Sequence, residues 1–215
     1  MDSSLAQKLG KLTGSLLRHP SHLPRYLAHL PVWGRSPIDL GLPWFSYGAI
    51  DRLEKSVRPE HTVFEFGSGG SSAFLARRAR SVRCVENDAS WHAVICAHAK
   101  SLGLTNLTCE LHAFGEAEAG DYHDLTYFKA LENHRYDIVI VDGFCGFTTG
   151  SYGALRPYCF TQALRSVTRP GGIIVVDDYW MYPKFSALAP EAQLTVYEST
   201  GPCRYGVTST AVFKF

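Results

Sequence analysis

Hydrophobic positions change their spacing along the chain, and the changes divide it. Leu5, Leu9, Leu12 and Leu16 recur at helical spacing, and Pro20 and Pro24 interrupt that region, so residues 1–30 read as one or two short helices. A stretch rich in Pro, Gly and Trp, from Pro31 to Phe45, leads into a helix over 46–57 with Ile50, Leu53 and Val57 on its apolar face. From Thr62 onward, short apolar runs near 62–67, 82–86, 106–111, 136–142 and 171–177 alternate with helical stretches near 70–80, 88–103, 122–133 and 152–168. Alternation of this kind predicts an α/β fold, a parallel sheet with helices on both faces. The last strands, near 192–199 and 206–214, have no long crossover between them and read as an antiparallel hairpin.

Composition bounds what such a chain can do. With 215 residues, 46% hydrophobic and 19% charged, it can bury one full core and lacks the polarity of a disordered segment. The net charge is +1 and no basic run occurs, so there is no electrostatic footprint for nucleic acid or an anionic membrane. A small-molecule acceptor is the expected partner; homo-oligomer formation stays open. Met1 to Leu17 has no long apolar stretch, which predicts neither a signal peptide nor a membrane span, and a cytoplasmic location. Six cysteines without a CxxC pair read as reduced structural thiols.

The most informative segment is Val63-Phe64-Glu65-Phe66-Gly67-Ser68-Gly69-Gly70-Ser71-Ser72, an apolar strand that ends in an acid and enters a glycine-rich turn and a helix. Gly67 and Gly69 allow torsions and close approaches that a Cβ would block, and the helix behind them directs N–H groups at an anionic ligand group. Glu65 would repel a pyrophosphate and suits a ligand ammonium group. A second acid, Glu86, ends the next strand about 20 residues after the turn begins, the spacing at which a carboxylate chelates ribose hydroxyls. Together they point to S-adenosylmethionine rather than a dinucleotide.

Glu65 to Ser71, Val85-Glu86-Asn87-Asp88, Tyr136 to Gly143 and Pro170 to Asp178 occur in order, and in this respect the chain resembles the class I S-adenosylmethionine-dependent methyltransferases over about residues 45–215. The resemblance departs at Ser71, where the first motif usually has its third glycine. It implies a Rossmann-like, seven-stranded, mostly parallel sheet with an antiparallel C-terminal hairpin. Residues 1–45 would form a helical N-terminal extension or cover, and 46–215 the methyltransferase domain. By the same resemblance Gly67 and Gly69 line the methionine portion of the cofactor, Glu65 faces its amino end and Glu86 holds the ribose. Ser68, Asn87, Ala113, Phe114 and Asp142, at the same turn and strand ends, complete the candidate cofactor set.

In open sheets of this kind a ligand lies across the carboxyl ends of the strands. The residues ending them include five acids, Glu65, Glu86, Asp142, Asp177 and Asp178, with His112 beside Ala113 and Phe114. One sulfonium does not neutralise five carboxylates. Asp142, Asp177 and Asp178 also resemble the set of the metal-dependent small-molecule O-methyltransferases, which implies Mg²⁺ held by these three, with Asp142 catalytic and the acceptor a sugar, polyketide or phenolic hydroxyl. The bland alternative has Asp178 capping a helix, Asp177 positioning Tyr179 or a loop amide, and Asp142 simply contacting bound methionine or substrate. The sequence after Asp142 is Gly143-Phe144-Cys145, without the lysine of catechol-type relatives, so the base is open among His112, His123 and His134. Trp44, Phe45, Tyr47, Tyr179 and Trp180 are candidates to stack on a ligand, and 144–158 is a candidate lid. The rival activities are a nicotinamide-dependent oxidoreductase, disfavoured by Glu65 and by Ser72 in the last glycine position, and a noncatalytic cofactor-binding protein.

Overall fold

A computed structural model describes residues 5–30, 35–114, 125–143 and 155–215. Its seven strands are β1 (Thr62–Phe66), β2 (Ser81–Glu86), β3 (Leu107–Leu111), β4 (Ile138–Val141), β5 (Ile173–Val176), β6 (Gln193–Ser199) and β7 (Thr208–Lys214). They form one sheet in the order β3-β2-β1-β4-β5-β7-β6. The first five pair in parallel, and β7 inserts antiparallel between β5 and β6. The order reverses between β1 and β4, which opens a crevice at their carboxyl ends.

Strand burial follows from position in the sheet. β4 reads Ile-Val-Ile-Val and β5 Ile-Ile-Val-Val, and every side chain of both is buried, as befits central parallel strands covered on two faces. Alternation sends Phe64, Phe66, Val139 and Val141 into one core and Val63, Ile138 and Ile140 into the other. The first core packs under α7 (Thr126–Lys129), α8 (Leu155–Ser166) and α9 (Phe185–Leu188). The second packs under α1 (Leu5–Arg18), α2 (His22–Ala28), α4 (Tyr47–Ser56) and α5 (Gly70–Ala76). The short α3 (Pro37–Leu40) crosses the start of α5, while α6 (Ala89–Ser101) joins β2 to β3.

Three expected elements differ in detail. Pro24 does not interrupt a helix: it sits in the first turn of α2, where a missing N–H costs no intrahelical bond. The helix expected over 70–80 ends at Ala76, because residues 77–80 turn back into β2 with the Arg80 N–H on the His61 carbonyl at 2.9 Å. The helix expected over 122–133 is described only as the single turn of α7; residues 122–124 lie outside the described residues.

The N-terminal helices are joined to the far end of the sheet by polar contacts. Ser15 Oγ accepts the Thr200 N–H at 3.0 Å, Tyr26 donates to the Arg204 carbonyl at 3.2 Å, and the Cys203 N–H donates to the His29 carbonyl at 2.9 Å. Arg25 pairs with Asp51 of α4. Of the leucine stripe only Leu12 is buried, with Leu16 partly so, while Leu5 and Leu9 face solvent. Among the described residues no helix is long and apolar enough to cross a membrane.

Candidate functional site

The turn after β1 is built around an internal clamp. Ser72 Oγ donates to Glu65 Oε2 at 2.6 Å, Ser71 Oγ donates to Oε1, and Ser72 Oγ accepts the Gly69 N–H at 3.1 Å. Alternation along β1 turns Glu65 toward α5, where it is buried, so the serine at the third-glycine position of the motif is a partner for the acid at its start. Burial pushes the Glu65 carboxyl up to about 7 against the two serine hydrogen bonds, which act in the opposite direction. The position of Glu65 in the sequence suggests a direct ligand contact. In the structure both of its oxygens are engaged in joining strand to helix.

Gly67 and Gly69 have different reasons to be glycine. Gly67 has φ +91°, and a Cβ there would lie 2.9 Å from Gly143 Cα, so β1 and β4 meet through two glycines. Gly69 is extended, with φ 174°, and strain does not require it to be glycine. The nearest atom to its would-be Cβ is Ser71 Oγ at 3.8 Å, so the missing side chain leaves space over the turn.

Glu86 is held ready at the end of β2. Its Oε1 accepts the N–H groups of Asn87 and Asp88 at 2.9 and 3.0 Å, and its Oε2 accepts Ser68 Oγ at 2.6 Å. Trp91 Nε1 donates to the Ser68 carbonyl at 2.8 Å, tying the glycine turn to α6, which Asp88 caps through the Trp91 N–H at 2.9 Å. The structure thus brings together Ser68, Glu86 and Asn87, three of the expected cofactor residues. Ala113 is exposed after β3. Phe114, by contrast, is buried edge-to-face against Tyr127 at 5.3 Å, a packing role rather than an open face.

Of the candidate bases, His112 is fixed between Thr126 Oγ1 at 2.8 Å and Glu110 Oε2 at 3.1 Å, and Glu110 is itself forked by Arg83. His134 precedes β4, at the opposite end of the sheet from the crevice. His123 and Cys145 lie outside the described residues, as do residues 144–154 of the expected lid.

Two residues at the crevice escaped the sequence reading. The first is Arg156, in the first turn of α8. Its Nε donates to the Gly143 carbonyl at 2.8 Å, Nη1 to the Asp177 carbonyl at 2.9 Å, and Nη2 to the carbonyl and Oδ1 of Asp142, each at 3.3 Å. Asp178 Oδ2 is 3.9 Å from Nη1. A buried guanidinium therefore stands among the three aspartates read as metal ligands. Asp177 is turned the other way, accepting Thr210 Oγ1 at 2.8 Å, and burial with its neighbours Asp142 and Asp178 holds its carboxyl well above the usual range. Asp178 adopts φ +50° and accepts Thr208 Oγ1 at 3.1 Å; it makes no side-chain cap. Among the described residues no three His, Cys, Asp or Glu side chains are grouped to hold a metal ion. The expected Mg²⁺ set does not fit this arrangement, since the positive charge the carboxylates require is supplied by Arg156.

Asp142 keeps a quarter of its side chain exposed. Burial pushes its carboxyl up to about 7, Arg156 pulls it down, and Glu65 and Asp178 add to the rise.

The second is Tyr127, whose buried hydroxyl has no hydrogen-bond partner among the described residues. It lies beneath the glycine pair, 2.2 Å from where a Gly143 Cβ would be, and both Glu86 and Asp142 act on it electrostatically. An orphaned donor of this kind costs stability in a folded protein unless something else takes its hydrogen bond.

Asp178 also lines a cleft of about 650 Å³, together with Lys8 and Lys11 of α1, Trp44, Trp180, Arg204 and Tyr205. The candidate aromatics divide here: Phe45, Tyr47 and Tyr179 are buried packing residues, while Trp44 and Trp180 are exposed in the cleft.

The same sheet occurs in solved structures. An O-methyltransferase from Bacillus cereus in complex with SAH matches at TM-score 0.55 and 16% identity over 95% of this chain and 91% of that one. A provisionally assigned O-methyltransferase from Klebsiella pneumoniae matches at 0.59 and 15%, over 97% and 100%. An rRNA methylase from Streptococcus thermophilus matches at 0.53 and 14%, over 86% and 99%. The fold is the methyltransferase fold. No family profile matches the chain, and no curated protein is significantly similar to it. Within this methyltransferase fold Glu86, the Gly67 turn and Asp142 end β2, β1 and β4, three neighbouring parallel strands.

Proposed function

We propose that the protein is an S-adenosylmethionine-dependent methyltransferase that methylates a hydroxyl of a small molecule. The observation that carries this reading is the pairing of two carboxylates with different surroundings across the strand ends. Glu86 is oriented by two backbone amides and Ser68, and Asp142, bonded by Arg156, has its carboxyl pushed up to about 7 by burial against the pull of that arginine. Glu86 retains lone pairs for ribose hydroxyls, and the open side of Gly69 accommodates the amino-acid portion of the cofactor. On this reading the Tyr127 hydroxyl, beneath Gly67 and Gly143, completes its hydrogen bond on the bound cofactor. Glu65 acts at one remove, by shaping the turn.

The cofactor, when bound, supplies an electrophilic methyl group. Asp142 accepts the proton of the acceptor hydroxyl, a task suited to a partly accessible base that ionises near neutrality. Arg156 keeps that carboxylate in place and balances its negative charge until it takes up the proton. No step is assigned to a metal.

A small acceptor is favoured over RNA because the opening beside Asp178 is concave and partly aromatic. The comparisons, which include an rRNA methylase, do not support the expectation that nucleic acid is excluded. Residues 1–45 serve in this reading as the cover of the acceptor side. The described cysteines Cys84, Cys96, Cys109, Cys159 and Cys203 are all uncrosslinked, which supports a reducing, cytoplasmic setting.

Calorimetry with S-adenosylhomocysteine, S-adenosylmethionine and NADH tests the reading. Binding of both sulfur ligands and not of NADH is expected; uptake of NADH alone would overturn it.

A further inference from the structure

The cleft beside Asp178 has a composition that selects a class of acceptor, an inference that rests on the methyl-transfer reading. Trp44 is 51% exposed, Trp180 65% and Tyr205 48%, and all three line this one concavity. Large aromatic faces held open around a cavity are complementary to a flat apolar body that stacks on them. They come from three separate segments: the loop before α4, the turn after β5 and the connection between β6 and β7. That framework is pinned, since Arg204 Nη2 donates to the Trp44 carbonyl at 2.7 Å and its guanidinium lies 4.7 Å from the centre of the Trp44 ring. Trp180 Nε1 in turn reaches Asp178 Oδ1 at 3.4 Å.

The charges are arranged unevenly about this aromatic wall. Lys8 and Lys11 are three residues apart on α1, hence on one face, and both are exposed into the cleft with no ion-pair partner among the described residues. Of the two acids that line it, Asp178 is committed to Thr208, Trp180 and Arg156, and Glu198 on β6 is the other. Arg204 adds a third cation. The cleft thus has a cationic rim on the α1 side and is bordered by Asp178, which lies 3.9 Å from Arg156, the arginine that also bonds Asp142.

We infer that the cleft binds an aromatic acceptor bearing a carboxylate or phosphate, with the ring between Trp44, Trp180 and Tyr205, the anionic group on Lys8 and Lys11, and the hydroxyl to be methylated toward Asp178. The lysines read as part of a helical cover are, on this account, substrate-binding residues.

The test is a titration of the full chain, followed by tryptophan fluorescence and calorimetry, in saturating S-adenosylhomocysteine. The probes are 4-hydroxybenzoate, 4-hydroxycinnamate and 4-hydroxyphenyl phosphate, each beside a neutral counterpart (methyl 4-hydroxybenzoate, 4-hydroxycinnamyl alcohol and hydroquinone), with cyclohexanecarboxylate as a non-aromatic anion. At least one aromatic anion should bind about tenfold more tightly than its neutral partner, as a charge-assisted hydrogen bond provides. The carboxylate and phosphate arms identify which anion is preferred. Lys8→Gln/Lys11→Gln, at exposed positions that leave folding intact, should erase the preference while keeping neutral binding. Trp180→Ala should weaken charged and neutral aromatics alike.

Equal affinity for charged and neutral forms, binding of cyclohexanecarboxylate as tight as of the aromatics, an unaltered preference in the lysine variant, or no binding at millimolar concentration would each overturn the proposal. Failure to take up S-adenosylhomocysteine overturns the methyl-transfer reading instead, and the same titration without it still reports on the cleft.

Discussion

Arg156 Nη2 donates to both the backbone carbonyl and the carboxylate of Asp142, at 3.3 Å each, and so joins the first turn of α8 to the end of β4. The same guanidinium takes the carbonyls of Gly143 and Asp177, so one buried side chain closes the carboxyl ends of two central strands. Arg156→Met removes the cation and leaves those acceptors and a buried carboxylate unpaired. The expected loss of unfolding free energy is about 3–5 kcal/mol, read by urea denaturation. Arg156→Lys should recover only part of it, because an ammonium cannot reproduce the planar fork. A loss below about 1 kcal/mol for Arg156→Met would show that the bridge contributes little.

Asp142 and Glu65 both ionise near 7 when folded, well above the usual carboxylate range. A carboxyl whose folded pKa is raised binds its proton more tightly in the native state. Its stabilisation is therefore complete below about 4 and is lost as pH rises through about 7. Glu110, held at about 2 by Arg83, has the opposite sign, but its contribution falls away only as pH drops below the ordinary glutamate range. Unfolding free energy should thus decline from about pH 4 through about 7, and Asp142→Asn with Glu65→Gln should reduce the decline, Asp177 keeping its share because its carboxyl is also held well above the usual range. For transfer, kcat/KM should rise with pH and level off above about 7 as Asp142 ionises. Asp142→Asn should remove that limb with about 10²- to 10⁴-fold of the rate. A rate independent of pH from 5 to 9 would exclude Asp142 as the base.

Chelation separates the arginine-bridged centre from the metal centre that the three aspartates suggest in the sequence. With Arg156 among them and Asp177 turned to Thr210, EDTA should leave both turnover and thermal stability unchanged. Recovery of a chelator-inhibited rate by Mg²⁺ alone would restore the metal reading.

The strand pattern and the acid-ended turn were legible because both depend on local sequence. The apolar runs in β1, β4 and β5 mark buried parallel strands, and the spacing of Glu65 and Glu86 follows from one βαβ unit. What the sequence hid was pairing across distance. Five acidic strand ends signalled a missing cation, and the metal was one solution. The topology supplies another, since the helix crossing over to β5 must begin at the carboxyl edge of the sheet, which places a cation in its first turn beside Asp142. Tyr127 had no such signal: its importance lies in a bond it does not make. The division of Trp44 from Phe45, or Trp180 from Tyr179, depended on which side of the backbone met the core.

The serine clamp makes a prediction about folding rather than chemistry. Ser71→Ala and Ser72→Ala each withdraw a donor from a fully buried carboxyl, at a cost of about 1–3 kcal/mol. Their effects should not add, because both act on Glu65. In a Glu65→Gln background each should cost less. Additive losses across this cycle would mean that the serines act independently of the acid.

Tyr127→Phe distinguishes a packing tyrosine from a ligand-binding one. Its hydroxyl is buried without a partner, so deleting it removes a desolvation penalty, and the ligand-free protein should be as stable as the wild type or slightly more so. Cofactor binding should move in the other direction. If the hydroxyl completes its hydrogen bond on the bound cofactor, affinity for S-adenosylhomocysteine falls by about 0.5–1.5 kcal/mol. Glu86→Ala provides the scale for that comparison: loss of a carboxylate that bonds the ribose should cost about 1.5–3 kcal/mol of binding. Differential scanning calorimetry without ligand and isothermal titration with it give the two numbers for each variant. A Tyr127→Phe protein that is destabilised yet binds normally would make the residue a core tyrosine, and wild-type affinity in Glu86→Ala would move the ribose away from the end of β2.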